Sequence, residues 1–326
     1  MRHLQQLVFV DAVARAGSIR RAAETLAITS TALNRRILAI EEDLGTPIFE
    51  RLTNGVRLST AGELFIQHVR QQLGDMERVK SQIADLSGVR RGHVSIICDQ
   101  ALIETFASSL VTDYRLEYPN VTFTVRACGR DDVSSQLLDF AADVGIVFEP
   151  EMLTGVQVLN EVKQTIHAVV HKSHPLAAST AIRAAAGNTA NSAAPLRLAD
   201  CAQFPLALPS TRSGLRHLVV QSAARRSLDL NIAVDSDNAT FLRQCLASEH
   251  MINFNIPVVL DRIPENQDLR YVAIHANDIA PGSLLVLQHG GRTLSVASSR
   301  FVSRLVESLQ SRTANTAMIR QASYAT

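Results

Sequence analysis

Ser30, Thr31, Asn34 and Arg35 share one face of a stretch with helical periodicity, and Arg36 lies beside them. Small hydroxyls, a carboxamide and guanidinium groups at this spacing are suited to base edges and phosphates in a DNA major groove. The stretch is the second of two short amphipathic segments between Gly17 and Glu42. Ser18 is placed to cap a first helix carrying Ala22, Ala23 and Leu26. Thr29 or Ser30 is placed to cap a second carrying Leu33, Ile37 and Ile40. Two helices whose apolar faces meet across a turn describe a helix-turn-helix, although many enzymes contain a two-helix corner of the same kind.

The flanking elements decide between these readings. Leu4, Leu7, Val10 and Val13 or Ala14 give a preceding helix that packs on the two. After Leu44-Gly45-Thr46-Pro47, the runs Ile48–Arg51 and Val56–Ser59 flank Thr53-Asn54-Gly55, a hairpin signal. This hairpin reads as a wing, with Arg51 and Arg57 near its tip to reach phosphates or the minor groove. Residues 60–87 then form a long helix capped by Ser59 or Thr60. Ile66, Val69, Leu73, Met76 and Ile83 follow three-four spacing along it, with Lys80 on the same seam. Such a helix packs either on its own domain or on a second copy. Its opposite face of Gln67, Arg70, Gln71, Asp75, Arg78 and Gln82 favours a dimerising coiled coil, with those five apolar residues as the seam.

Composition bounds the rest. With 326 residues, 46% hydrophobic and 19% charged, the chain has room for two or three well-buried domains and shows no disorder signature. Net charge is +1, but it is unevenly placed. Residues 1–92 hold 13 Lys and Arg against 10 Asp and Glu, net +3, and the remainder 19 against 21, net −2. Cys98, Cys128, Cys201 and Cys245 are widely spaced, as buried thiols in a reducing compartment are. His171 and His174 lack companion ligands, so no metal or cofactor is expected, and Ser, His and Asp occur without a nucleophile context. No apolar run reaches membrane-span length and the N-terminus lacks signal-peptide character, so a cytoplasmic protein without membrane partners is expected.

From His93 the period changes to alternating strands and helices. Strands are expected over 93–98, 121–127, 143–148, 165–171, 229–234, 251–255, 269–273 and 284–288. Helices are expected over 101–117, 131–141, 213–226, 238–247 and 299–311. Such alternation implies α/β layers around a mixed or parallel sheet. Residues 177–196, rich in Ala, Ser and Asn, read as a surface insertion, and 313–326 as a flexible tail.

The N-terminal residues together carry a specific resemblance. Gly-Ser-Ile with Ala-Ala-Glu-Thr-Leu, Ala-Leu-Asn-Arg-Arg-Ile, Leu-Gly-Thr-Pro-Ile-Phe-Glu-Arg and Leu-Ser-Thr-Ala-Gly-Glu, over residues 3–66, resemble the DNA-binding domain of LysR-type transcriptional regulators. Where the family usually has Gln, Pro and Ser, this chain has Ser30, Thr31 and Asn34, so the operator cannot be borrowed from relatives. Tyr118-Pro119-Asn120-Val121, Ala142-Asp143-Val144-Gly145-Ile146 and His174-Pro175-Leu176-Ala177 resemble the same family's effector domain. A second departure is Ala247-Ser248-Glu249-His250-Met251, where relatives often carry a glycine-rich turn.

The resemblance implies an α+β multidomain protein and no enzyme. A winged helix-turn-helix over 1–59 is followed by a dimerisation helix over 60–88. A two-lobed effector domain like a periplasmic binding protein covers 89–312, with lobe one at 93–163 plus 269–301 and lobe two at 164–268. It further implies a dimer or tetramer on an inverted-repeat site in double-stranded DNA, a small organic effector and RNA polymerase as partners.

In such a domain, ligands sit where strand C-termini and helix N-termini of both lobes meet. Asp99, Gln100, Gly129, Arg130, Phe148 and Glu149 are the candidates from lobe one, and Ser210, Thr211, Arg212, Ser213, Asn253 and Asn255 those from lobe two. Ser210-Thr211-Arg212-Ser213-Gly214 precedes a helix and reads as an anion cradle, or as a plain helix cap with a solvated arginine. A binding-protein-like sensor whose helical N-terminus serves protein contacts is the rival reading of the whole chain.

Overall fold

The computed structural model describes residues 2–86, 91–178, 195–247, 250–260 and 268–324, and they fall into two units, 1–89 with 291–296 and 90–290 with 297–326. The first unit contains α1 (Arg2–Ala16), α2 (Ile19–Thr25), α3 (Ser30–Leu44), β1 (Phe49–Leu52), β2 (Gly55–Leu58) and α4 (Thr60–Leu86). Both helix starts are capped as the residue types dictate. Ser18 Oγ accepts from Arg21 N, and Thr29 rather than Ser30 caps α3, its Oγ1 accepting from Ala32 N at 3.2 Å. Phe9, Val10, Val13, Ala22, Ala23, Leu33, Ile37 and Ile40 form one buried cluster beneath them. Burial of a side chain such as Leu33 contributes roughly 1.5–3 kcal/mol.

The wing is present with a small change in its turn. Leu52 pairs with Gly55, so Thr53 and Asn54 make the two-residue loop and Gly55 is already in the ladder. Its position explains the residue: φ is +136° and an added Cβ would stand 2.4 Å from Gly17 O. Val56 N donates to that same carbonyl at 3.0 Å, which fixes the wing on the turn before α2. Glu41, which sequence reasoning passes over, does the same from α3, its carboxylate accepting from Ile48 N and Phe49 N at 2.8 and 2.9 Å.

The seam expected on α4 divides. Ile66 and Val69 are buried in the core of their own unit, with Leu73 packed against it. The first turns of the helix roof α1 and bury the apolar stripe there, so these two residues are core rather than partner contacts. Met76 is half-buried, while Val79 and Ile83 are 39% and 59% exposed farther along.

The second unit begins with β3 (Gly92–Cys98), α5 (Gln100–Leu102), a π turn over Ile103–Ala107, α6 (Ser108–Glu117), β4 (Val121–Ala127), α7 (Val133–Leu138), β5 (Val144–Phe148) and β6 (Val156–Gln164). It continues with β7 (His167–His171), α8 (Pro175–Ala178), α9 (Leu198–Cys201), β8 (Leu206–Leu208), α10 (Gly214–Ala224), β9 (Ile232–Asp235), α11 (Ala239–Cys245), β10 (Asn253–Asn255) and α12 (Pro257–Leu260). It closes with β11 (Leu269–Ala273), β12 (Gly282–His289) and α13 (Val296–Tyr324).

These strands build two lobes. Lobe one is a sheet of order β4-β3-β5-β12-β6 in which β3 is parallel to β4 and β5, and β12 is antiparallel to both its neighbours. Tyr114, Phe123 and Phe301 pack edge-to-face on one side, at 5.1–5.7 Å between centroids, and Val133 and Leu137 of α7 cover the other. Lobe two holds β10-β7-β11 and the parallel pair β8-β9, joined by a bridge from Leu206 to Ile252. Leu242 of α11 and Leu246 at its C-cap pack there on Val169 and Ala207.

Two expectations change. Leu269–Ala273 pairs antiparallel with His171–His167, so this strand belongs to lobe two and the return to lobe one comes between Ala273 and Gly282. Residues 313–324, read as a tail, continue α13 to Tyr324, in keeping with their Ala, Arg, Gln and Met content and their lack of Gly and Pro. Most of the insertion read at 177–196 lies outside the described residues, as does 87–90 of the hinge segment.

Candidate functional site

On α3, Ser30, Thr31, Arg35 and Arg36 are exposed and Asn34 is half-buried. Thr29 starts the helix, and Leu33, Ile37 and Ile40 anchor its other face. The expected reading face is therefore the solvent face. Asn34 is tied to the wing: its Oδ1 accepts from Arg51 Nη2 at 2.8 Å. Arg36 lies 4.7 Å over the Phe9 ring, where a cation–π contact holds it toward α1. Arg57 pairs across the wing with Glu50 at 2.7 Å, so its charge is partly spent.

In the second unit, a cavity of about 180 Å³ opens between the lobes. Of the residues expected at the effector site, Asp99, Gln100, Gly129, Phe148, Arg212, Ser213 and Asn253 line it. Glu149, Ser210, Thr211 and Arg130 do not. Arg130 turns toward its own lobe, donating to Glu149 O at 2.9 Å and to Glu151 at 2.7 Å, while its backbone N–H reaches Arg212 O across the cleft at 2.8 Å. Asn255, also expected, lines the cavity, and Asn253 is held in place by a 2.7 Å bond to Ala207 O. Residues that sequence reasoning missed include Leu102, Asp237, Leu242, Arg243, Phe254, Ile256 and Val259. Only the fold brings these together, although the strand and helix ends around 237–243 and 253–256 carry the same topological signal as the residues expected there.

Ion pairs span the cleft on both sides. Arg212 pairs with Asp132 and lies 3.8 Å from Asp131. Arg243 donates to Glu104 at 2.9 Å, and Thr240 to the same carboxylate oxygen at 2.9 Å. Close packing of α10 on lobe one needs a glycine at its start: a Cβ on Gly214 would stand 1.7 Å from Phe148 O. Ser213 precedes it at the cap position but makes no side-chain cap hydrogen bond, which leaves first-turn N–H groups without that partner.

Asp99 sits at the end of β3, half-buried, and its Oδ2 accepts from Phe148 N at 2.8 Å. Burial pushes its carboxyl up to about 7, and the Phe148 bond offsets only part of this. Burial also raises the Cys98 and Cys128 thiols, Cys128 to about 12, which disfavours the reactive thiolate at neutral pH. His174 is fully buried, with Nε2 against His250 O at 2.8 Å and Nδ1 accepting from Leu176 N at 3.0 Å, so both ring nitrogens serve the fold. Burial lowers its pKa, keeping it neutral.

A winged helix-turn-helix followed by a two-lobed α/β domain with an interlobe cavity defines the architecture of a DNA-binding regulator with a substrate-binding domain. Residues 4–63 match the bacterial regulatory helix-turn-helix protein, lysR family, and residues 87–310 match the LysR substrate binding domain. The chain belongs to the family of LysR-type transcriptional regulators, and is a DNA-binding regulator of transcription rather than an enzyme.

Among its relatives, the transcriptional activator CmpR of Synechocystis is 20% identical over 246 residues, 74% of this chain and 75% of CmpR. The regulator YtlI of Bacillus subtilis is 26% identical over 179 residues, 55% of this chain and 58% of YtlI. With several curated relatives the match spans only about half to three-fifths of their length. A full-length OxyR variant of Pseudomonas aeruginosa shares the fold at 15% identity, with a TM-score of 0.69 and 94% of each chain covered. CbnR complexed with its target DNA does so at 19% identity, with a TM-score of 0.56, 94% of this chain and 99% of CbnR covered. No described helix is long and apolar enough to cross a membrane.

Proposed function

We propose that this regulator reads an inverted-repeat operator as a homo-oligomer and is controlled by a small organic anion bound between the two α/β lobes. The observation that carries the effector half is that Arg212 and Ser213 stand side by side in the cavity wall, just before an 11-residue helix. An effector carboxylate there gains the guanidinium and the helix N-terminus together. It competes with Asp131 and Asp132 for Arg212, so binding exchanges an interlobe ion pair for a ligand contact. That exchange gives the ligand different contacts in the two lobe arrangements, which an effector needs in order to shift a population.

On the DNA side, Ser30, Thr31, Asn34 and Arg35 read bases, while Arg36, Arg51 and Arg57 hold phosphates. Ile83, with Val79 beside it, supplies the exposed part of the α4 seam that pairs two copies, and RNA polymerase is a further partner. Calorimetry of wild type and Arg212→Ala against an organic-acid panel tests the effector site. Binding is expected only in the wild type, and equal affinity in the two proteins removes Arg212 from it. A mobility-shift assay on the promoter region tests the DNA reading, and absence of sequence-selective binding overturns it.

A further inference from the structure

Four charged side chains line the cavity, and they balance: Asp99 and Asp237 against Arg212 and Arg243. The arginines are already paired with carboxylates, Arg212 with Asp131 and Asp132 and Arg243 with Glu104. The acids are not paired with any cation among the described residues. Asp99 spends one oxygen on Phe148 N and takes no other side-chain hydrogen bond among those residues. A carboxylate held in a ligand cavity without a counter-charge repels a second carboxylate and attracts a cationic nitrogen. A simple organic anion satisfies the Arg212 end and leaves Asp99 uncompensated.

Phe148 joins the Asp99 end to the segment that carries Ser213 and Gly214. Its N–H bonds Asp99, and its carbonyl oxygen lies directly against Gly214, the residue after Ser213. The cation-seeking group and the segment that carries the anion-seeking groups therefore border one residue, an arrangement that calls for a ligand with both an ammonium and a carboxylate. Apolar side chains, among them Leu102, Leu242, Ile256 and Val259, line the space beyond. At about 180 Å³ the cavity is smaller than the roughly 300–1,000 Å³ of sites for drug-sized ligands.

We infer that the effector is a zwitterion of the α-amino-acid class with an apolar side chain, its ammonium against Asp99 and its carboxylate toward Arg212 and Ser213. This rests on the interlobe cavity being the effector site, and it adds a role for Asp99 that the anion reading does not contain.

Calorimetry with the full-length protein separates the two. The ligands are L-valine, L-leucine, L-methionine and L-phenylalanine, each with its des-amino acid and its decarboxylated amine, alongside the organic-acid panel. At least one amino acid is expected to bind about tenfold or more tighter than both truncated analogues, the size of one hydrogen-bonded charge. Asp99→Asn keeps the acceptor for Phe148 N and is expected to lose that preference while still binding the des-amino acid as wild type does. Arg212→Ala is expected to weaken both carboxylates. Equal binding of an amino acid and its des-amino analogue, or an undiminished preference in Asp99→Asn, overturns the inference. If organic acids bind and no amino acid does, the inference falls and the anion reading stands; if nothing anionic binds, both fall.

Discussion

The carboxamide oxygen of Asn34 accepts a hydrogen bond from the Arg51 guanidinium at 2.8 Å, so the recognition helix and the wing meet through the two side chains proposed to touch DNA. Arg51 orients the amide, and the amide positions the guanidinium. Residues that act through one another show non-additive losses. Asn34→Ala and Arg51→Ala are each expected to weaken operator binding, and the double variant to lose about 0.5–3 kcal/mol less than the sum. Fluorescence anisotropy at one fixed salt concentration measures the cycle. Additive losses would show that the bond does not survive in the complex.

Two other arginines of this unit differ in a way that salt reveals. Arg35 is exposed on α3, whereas Arg57 is paired with Glu50 across the wing. A phosphate contact contributes about 0.9 to the slope of log affinity against log salt. Arg35→Ala is expected to lower the slope by up to that amount, and Arg57→Ala by clearly less, because forming its contact costs the Glu50 pair. An equal drop for both variants refutes this ranking.

Glu104 and Arg243 are 139 positions apart and bond across the cleft at 2.9 Å, with side chains 20% and 21% exposed. A pair this sheltered is worth more than a surface ion pair, on the order of 1–2 kcal/mol. Glu104→Gln is expected to lower the melting temperature of the ligand domain by about 2–8 °C, following the usual scaling for a domain of this size. An unchanged transition in calorimetry would mean that the lobes are held without this latch.

Asp278 is 4% exposed and takes both Nε and Nη2 of Arg197 at 2.7 Å, with Leu198 N at 2.9 Å. The Arg197 hydrogen bonds hold its carboxyl below the usual carboxylate range, although burial opposes them. A depressed acid stabilises the fold above its unfolded pKa, and that stability is lost as pH falls from about 4 toward the folded value. Asp278→Asn is expected to cost roughly 1–3 kcal/mol at pH 7, the size of hydrogen bonds to a buried charge, and progressively less below pH 4, read from urea midpoints. A cost that stays constant down to pH 3 contradicts the linkage.

These long-range pairs mark where sequence reading stops. The caps at Ser18 and Thr29, the buried set Leu33, Ile37 and Ile40, and the strand Val121–Ala127 follow from local periodicity, and they stand as expected. Strand β6 gives no such signal, and its pairing shows why. The ladder with β12 slips between Val286 and Leu287, which are paired with Asn160 and Val158, leaving Leu159 as the extra residue. Alternation changes phase there, so the period-two signal cancels. Leu269–Ala273 reads clearly as a strand, but which sheet it joins is a non-local fact. Ile66 and Val69 show the converse: one apolar stripe serves either a domain core or a dimer, and only the neighbouring α1 decides. At the cavity, the strand-end rule finds Asp99, Phe148 and Arg212, while the partners of Arg212 and Arg243 lie too far along the chain to be seen.

Asp99 gives the sharpest pH signature, with a sign opposite to that of Asp278. Its folded carboxyl is raised to about 7, against an ordinary value near 4, chiefly by burial. Below pH 4 both states are protonated and the group is neutral for stability. From pH 4 to 7 the unfolded chain ionises and the folded chain does not, so each pH unit costs the fold up to about 1.4 kcal/mol; above 7 the penalty is constant. Asp99→Asn is therefore expected to be more stable than wild type by about 1–4 kcal/mol at pH 8, and equal to it near pH 4. Chemical denaturation of the ligand-free protein at the two pH values measures this. If the substitution destabilises at pH 8 as much as at pH 4, the carboxylate is a structural tie between β3 and β5. If it stabilises only at high pH, the wild-type chain carries an uncompensated charge in its cavity at the expense of its own stability, as a residue kept for a ligand does.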